Sequence, residues 1–201
     1  MAKAVIFDYG VGNLLSLKTA LEKAGLEAAI ATSSKELADA DAVALPGVGA
    51  FTPAAKKLQS IKETLRNKIN DGTPLLGICL GLQLFFETSE EGPGNGLALF
   101  KGKTVQLPST VKVPHMGWNT LNIVRQNELF DGVAEGSYVY FVHSLYPVPT
   151  DKNIVVTQTE YGTTFTSAVA NKNIYGTQFH PEKSGDLGLK ILKNFAKTVV
   201  R

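Results

Sequence analysis

The chain has 201 residues, 44% of them hydrophobic, with 20 Lys and Arg against 18 Asp and Glu and a single cysteine. That length can bury a sizeable core without disulfides, and one cysteine cannot form an internal one, so a reducing compartment and a cytoplasmic protein are expected. A net charge of +2 with acids and bases interspersed argues against a nucleic-acid face, and no apolar run approaches the roughly 18 residues that a membrane span needs.

The first half of the chain alternates short apolar runs with helical patterns. Ala4-Val5-Ile6-Phe7 is continuous, ends near glycines and reads as a buried strand. Its apolar stretch is too short for a signal peptide and meets an acid at Asp8. Leu14, Leu17, Leu21 and Ala24 recur at helical spacing, with Gly25 as a stop. A second strand is predicted over 27–31, a short helix opened by the capping box Ser33 to Glu36, and a third strand over 42–45. Thr52-Pro53 looks like an N-cap followed by proline at the first helical position, with helix in two pieces to Asn70. Leu75 to Ile78 is the next buried strand, and helix-compatible residues run from Leu80 to Glu87. Alternating strands and helices predict an α/β fold with a mostly parallel central sheet flanked by helices.

After the glycine-rich stretch 90–96 the character changes. Strands are predicted over 104–107, 119–124, 138–142, 154–160, 165–170 and 174–179, several of them antiparallel. A helix over 184–199 carries Leu187, Ile191, Leu192 and Phe195 on one face. With no internal repeat or long linker, a single domain over 1–201 is expected.

The lone cysteine sits in Gly77-Ile78-Cys79-Leu80-Gly81-Leu82-Gln83. Gly-x-Cys-x-Gly between a buried strand and a helix has the form of a nucleophile elbow, in which glycines allow close approach of neighbouring backbone. The helix N-terminus that follows favours a thiolate, and the Leu80 amide is placed to donate to an oxyanion. A buried structural thiol is the competing reading. A nucleophilic cysteine needs a base. His180 ends a predicted strand in Gln178-Phe179-His180-Pro181-Glu182, and Glu182 two residues on projects to the same side of an extended chain. A carboxylate there would fix the imidazole tautomer and stabilise the imidazolium; a surface His-Pro turn is the bland alternative. Pro46-Gly47-Val48-Gly49 ends the third strand and could aim amides at an oxyanion, or be a simple turn.

Taken together these segments resemble the class I, triad-type glutamine amidotransferases. In that family GxCxGxQ carries the nucleophile, here Cys79, and HPE carries the base and its acid, here His180 and Glu182. The segments Asp8 to Leu14, Pro46 to Gly49, Pro114-His115-Met116-Gly117-Trp118-Asn119 and Tyr140-Phe141-Val142-His143-Ser144 resemble, more narrowly, the glutaminase subunits of imidazole glycerol phosphate synthases. The resemblance implies hydrolysis of L-glutamine through a cysteinyl thioester, with ammonia passed to a (β/α)8-barrel cyclase partner in histidine biosynthesis. It implies an oxyanion site at Val48, Gly49 and Leu80, and a glutamine pocket at Gly47, Gly81, Gln83, His143 and Ser144. It also implies a cyclase-facing set of Asn13, Trp118, Tyr140 and Lys183, and an oxyanion strand that must reorient when the partner or its ligand binds. His115 is given no chemical role.

Other chemistries fit less well. Gly10-x-Gly12 after the first strand lacks the third glycine of a dinucleotide fingerprint, since Leu15 stands there. One cysteine and scattered histidines cannot make a structural zinc set, so no cofactor or metal is implied. A glutaminase serving pyridoxal phosphate synthesis, or a non-catalytic subunit with a structural cysteine, are the remaining alternatives; the Cys, His and Glu set argues against the last.

Overall fold

The structure, a computed structural model, describes residues 1–10 and 12–199; Val11 of the Asp8 to Leu14 segment and the last two residues lie outside them. In chain order the elements are β1 (Lys3–Phe7), α1 (Leu14–Lys23), β2 (Glu27–Ala31), β3 (Ala42–Leu45), α2 (Phe51–Leu58), α3 (Lys62–Asn70), β4 (Leu75–Ile78) and α4 (Leu80–Gln83). Then follow β5 (Thr88–Ser89), β6 (Gly102–Gln106), β7 (His115–Thr120), β8 (Asn122–Ile123), β9 (Tyr138–His143), β10 (Leu145–Pro149), β11 (Val155–Glu160), β12 (Thr164–Asn171), β13 (Ile174–Thr177) and α5 (Gly185–Val199).

The main sheet runs β2-β1-β3-β4-β13-β12-β11-β8. Pairing is parallel from β2 through β13 and antiparallel from there to β8. Strand alternation explains the layers. Ala4 and Ile6 of β1 face one side with Ala42 and Ala44 of β3, where Leu17 and Leu21 of α1 and Ile191, Leu192 and Phe195 of α5 cover them. Val5, Phe7, Val43 and Leu45 face the other side, under Phe51, Ala54, Leu58 and Leu65 of α2 and α3. Each such large side chain, fully buried, contributes roughly 1.5–3 kcal/mol. Sheet register then does the work that matters for the site. Ile78 at the end of β4 pairs with Thr177 at the end of β13, so the chain leaves two neighbouring parallel strands with Cys79 and His180 close behind them.

Several predicted boundaries shift, each for a local reason. The helix after Cys79 stops at Gln83 rather than Glu87. Phe85 and Phe86 bond back to Leu82 and Gln83 in a tighter spiral, while the amides of Leu97, Leu99 and Phe100 take the carbonyls of Leu84 and Phe85. Helix α2 begins two residues early, at Phe51 rather than Pro53, and Thr52 does not cap it. The Phe51 amide is met at 2.6 Å by the Glu91 carboxylate from a distant loop, and the Thr52 hydroxyl donates to the Pro93 carbonyl at 2.6 Å. Strand β10 was not expected, because Pro147 and Pro149 speak against a strand; it is tolerated because β10 pairs on one side only, with β6. His115 to Thr120 pairs with β9 as a two-stranded ribbon, rather than starting at Asn119.

Candidate active site

Cys79 occupies φ 53°, ψ −106°, a conformation that L residues rarely adopt, between the end of β4 and the start of α4. Its amide donates to the Thr177 carbonyl at 2.7 Å, which ties the turn to the end of β13. The flanking glycines are demanded by packing. A Cβ on Gly81 would stand 1.9 Å from the Leu45 carbonyl oxygen, and one on Gly77 2.4 Å from the Phe85 ring. The turn is therefore held sharp by strand β3 passing directly beneath it.

His180 follows β13 and its amide donates to the Tyr140 carbonyl of β9 at 2.9 Å. The Ser184 hydroxyl accepts from the Tyr140 amide at 3.0 Å and donates to the His180 carbonyl at 2.7 Å, so the backbone here is fixed from two sides. Nδ1 of His180 meets Glu182 Oε1 at 2.7 Å, both side chains being almost fully buried. Burial would pull the imidazole pKa down, but the neighbouring Cys79 and Glu182 outweigh it and raise it to about 9. Nε2 of His180 and Oε2 of Glu182 are buried without a hydrogen-bond partner. The Cys79 sulfur, as a hydrogen-bonding neighbour and then as a charge, makes the largest contribution to raising His180, although the two groups do not meet in close hydrogen-bond geometry. Sγ instead points at the Val142 carbonyl, 3.6 Å away, and receives the side-chain amide of Gln178 at 3.5 Å.

A cavity of about 250 Å³ opens beside the sulfur, lined by Val48, Gly49, Cys79, Leu80, Gln83, Glu91, Pro114, Val142, His143, Ser144 and Leu145. Gly47 and Gly81 are not on its wall; they lie behind the elbow, where a Cβ on Gly47 would come within 2.7 Å of the Leu80 Cβ. In the Pro46 to Gly49 loop, Gly49 has φ 136° and Val48 is exposed. The Leu80 amide donates to the Gly47 carbonyl at 3.3 Å, so this oxyanion donor is occupied within the protein. The loop is held from below by Tyr9, whose hydroxyl donates to the Pro46 carbonyl. Burial lifts the Tyr9 pKa well above its ordinary value, and Cys79 adds to the effect.

Gln83 is buried, with its side-chain amide donating to the Leu145 carbonyl at 3.0 Å and to Gln178 Oε1 at 3.1 Å. The same Leu145 carbonyl accepts from His143 Nδ1 at 2.8 Å. His143 Nε2 must then accept, and its partner at 3.0 Å is His115 Nδ1. His115 Nε2 in turn faces the Asn119 side-chain amide at 3.3 Å. Burial keeps both histidines neutral, lowering His115 to about 4 and His143 to about 3. His115 is thus a satisfied polar residue, stacked on Tyr161 with ring centroids 3.9 Å apart. Sequence reasoning passed over Gln178. Its position in a strand-end run beside His180 was the only available signal, and nothing in it revealed a side chain turned toward the sulfur.

Asn13 caps α1, accepting from the Ser16 amide at 3.2 Å, and is exposed, as is Lys183. Trp118 and Tyr140 pair across β7 and β9, their rings packed edge to face at 6.0 Å. With Met116 and Tyr138 they form an apolar face that is left open, Trp118 being 55% and Met116 63% exposed. The reverse side of this ribbon carries Phe141, His143 and His115, so one strand pair separates the open face from the cavity. Among the described residues no helix is long and apolar enough to cross a membrane, and no cluster of side chains has the makings of a metal site.

The family model for class-I glutamine amidotransferases matches residues 5–199. An imidazole glycerol phosphate synthase subunit HisH from Methanothermobacter thermautotrophicus is 49% identical over 195 residues, covering 96% of this chain and 98% of the relative. The subunit of the same name from Aquifex aeolicus is 46% identical, covering 97% and 96%. Among solved structures, PurLQS from Thermotoga maritima superposes with a TM-score of 0.78 at 22% identity, covering 98% of each chain, a likeness of fold.

Proposed function

The chain belongs to the class I glutamine amidotransferases and, within them, to the HisH subunits of imidazole glycerol phosphate synthase; on that premise we propose that Cys79, His180 and Glu182 carry out its glutaminase reaction. The protein hydrolyses L-glutamine and passes ammonia to a (β/α)8-barrel cyclase subunit, which makes imidazole glycerol phosphate and aminoimidazole carboxamide ribonucleotide. It works as one cytoplasmic glutaminase domain and needs no cofactor of its own. The observation that carries the assignment of residues is the strained elbow at Cys79, beside a buried His180–Glu182 pair whose Nε2 has no other partner.

Cys79 Sγ attacks the side-chain carbonyl carbon of glutamine while its proton resides on His180. Glu182 holds Nδ1 and so directs Nε2 at the reacting atoms. With its pKa raised to about 9, His180 is protonated at neutral pH, the form that can deliver a proton to departing ammonia. The glutamyl thioester is then hydrolysed by a water that His180 deprotonates. The tetrahedral oxyanion needs amide donors from Leu80 and the Val48–Gly49 segment. The Leu80 amide is engaged by Gly47, so in this reading the isolated subunit is nearly idle until the cyclase resets the loop. The cyclase covers the open face of Met116, Trp118, Tyr138 and Tyr140, with Asn13 and Lys183 in the same contact. Strand β9 supports such a linkage, because its Tyr140 carbonyl holds the His180 amide and its Val142 carbonyl meets the thiol.

The test is ammonia release from glutamine, measured with and without the barrel cyclase and its nucleotide ligand. Strong stimulation by the liganded cyclase is expected. Absence of glutamine hydrolysis in the assembled pair would overturn the assignment, and full activity of the subunit alone would overturn the reading of the loop.

A further inference from the structure

We propose that Gln178 is a further catalytic residue of this site: its side-chain N–H is directed at Cys79 Sγ and stabilises the sulfur as an anion. The proposal rests on the reading of Cys79 as nucleophile.

An amide side chain can be turned either way. Here the turn is fixed from a backbone carbonyl. Leu145 O can only accept, so the group Gln83 presents to it at 3.0 Å is the NH2. The same nitrogen lies 3.1 Å from Gln178, which must answer with its oxygen. Gln178 therefore has its nitrogen on the far side, where it meets Sγ at 3.5 Å. The Gln178 amide is held by the Ser167 carbonyl at 2.8 Å and its side chain is wholly buried. His143 approaches the Leu145 carbonyl from the other side at 2.8 Å, so the anchoring oxygen is itself clamped. A donor N–H fixed in this way, in a site away from water, favours a negative sulfur over a neutral one. It also remains in place as the thiol proton leaves for His180, which the Val142 carbonyl cannot do, being an acceptor only. The other titratable groups facing the sulfur are His180 with Glu182 behind it, Tyr9 from the end of β1, His143 from β9 and Glu91 on the cavity wall. Of these His180 is the one that takes and returns the thiol proton, and His143 reaches the Gln83–Gln178 pair only through the shared Leu145 carbonyl.

Gln178→Glu keeps an acceptor for Gln83 and replaces the donor to sulfur with an oxygen; Gln178→Leu removes both in a similar volume. Both are assayed in the complex with the cyclase. Because Cys79 is the chain's single cysteine, its alkylation by iodoacetamide can be followed by mass on this chain alone. The expected result is that half-maximal alkylation moves to higher pH by about one unit in each variant, with glutamine turnover reduced at least about tenfold. Turnover lost with an unchanged alkylation profile in both variants would assign Gln178 a structural role and overturn the proposal, as would unchanged turnover. Glutamine hydrolysis by Cys79→Ala would instead overturn the nucleophile reading beneath it.

Discussion

The backbone at Cys79 makes a quantitative prediction about stability that does not depend on catalysis. At an ordinary buried position, Gly is less stable than Ala on two counts. It loses about 0.5–1 kcal/mol more in backbone entropy, and it forgoes about 0.8 kcal/mol from burying one methyl group. A Cys79→Gly variant should then trail Cys79→Ala by roughly 1.5 kcal/mol. At φ 53°, ψ −106° the Cβ is itself the source of strain, worth about 1–3 kcal/mol for an L residue held in a sparsely populated region. Alanine keeps that strain and glycine removes it. The glycine variant should therefore fall between about 0.5 kcal/mol less stable and about 1.5 kcal/mol more stable than the alanine variant, according to how much strain within that range is stored. Urea unfolding of the isolated subunit, with equal m-values for the pair, measures the difference directly. A glycine variant less stable than the alanine variant by about 1.5 kcal/mol or more would mean that no strain is stored at the elbow.

Three further outcomes follow from the surrounding geometry. His115 and His143 are held neutral, with pKa values lowered to about 4 and about 3; the unfolded chain binds their protons first, so stability is lost as pH falls below about 6.5. Near pH 5 each costs about 2 kcal/mol, offset in small part by His180, whose raised pKa contributes stability fully below about 6.5 and loses it as pH rises through about 9. A urea midpoint that does not fall between pH 7 and 5 would contradict the neutral pair. Glutamine turnover by the complex should decline above about pH 9, as His180 gives up the proton that ammonia needs; turnover still climbing at pH 10 would contradict that role. Trp118→Ala should weaken cyclase binding by about 2 kcal/mol, roughly thirtyfold, with the melting temperature of the free subunit unchanged, since the ring is more than half exposed. Unaltered affinity would remove Trp118 from the interface.

Much of this architecture was legible because its signals are local. Buried parallel strands such as 42–45 and 75–78 read as unbroken apolar runs, and the glycines around Cys79 are conspicuous at short range. What escaped was decided by distant partners. The capping of α2 by Glu91 joins residues 40 apart in sequence. The early end of α4 is set by amides of residues 97–100 folding back on it. The prolines of β10 disguise a strand that only its edge position permits. In the site, Cys79 and His180 stand out because the chain has one cysteine and three histidines, and Glu182 because it lies two residues beyond His180. Gln178 does not, since one amide among many gives no sign of where it points. The motif marks Gln83 as a pocket residue; its place on the cavity wall is joined by a second role, setting the direction of Gln178. The resting state of the oxyanion loop could not be read at all, because it turns on a single bond between the Leu80 amide and the Gly47 carbonyl.

The central claim is that glutamine is hydrolysed on Cys79 through a covalent glutamyl thioester. It is tested most directly by acid-quenching the cyclase complex during turnover of glutamine and weighing the intact subunit. One glutamyl group on the wild-type chain, mapped to the peptide containing Cys79 and absent from Cys79→Ala, is the result predicted. Ammonia release from Cys79→Ala at the wild-type rate, with no adduct on either chain, would contradict the account.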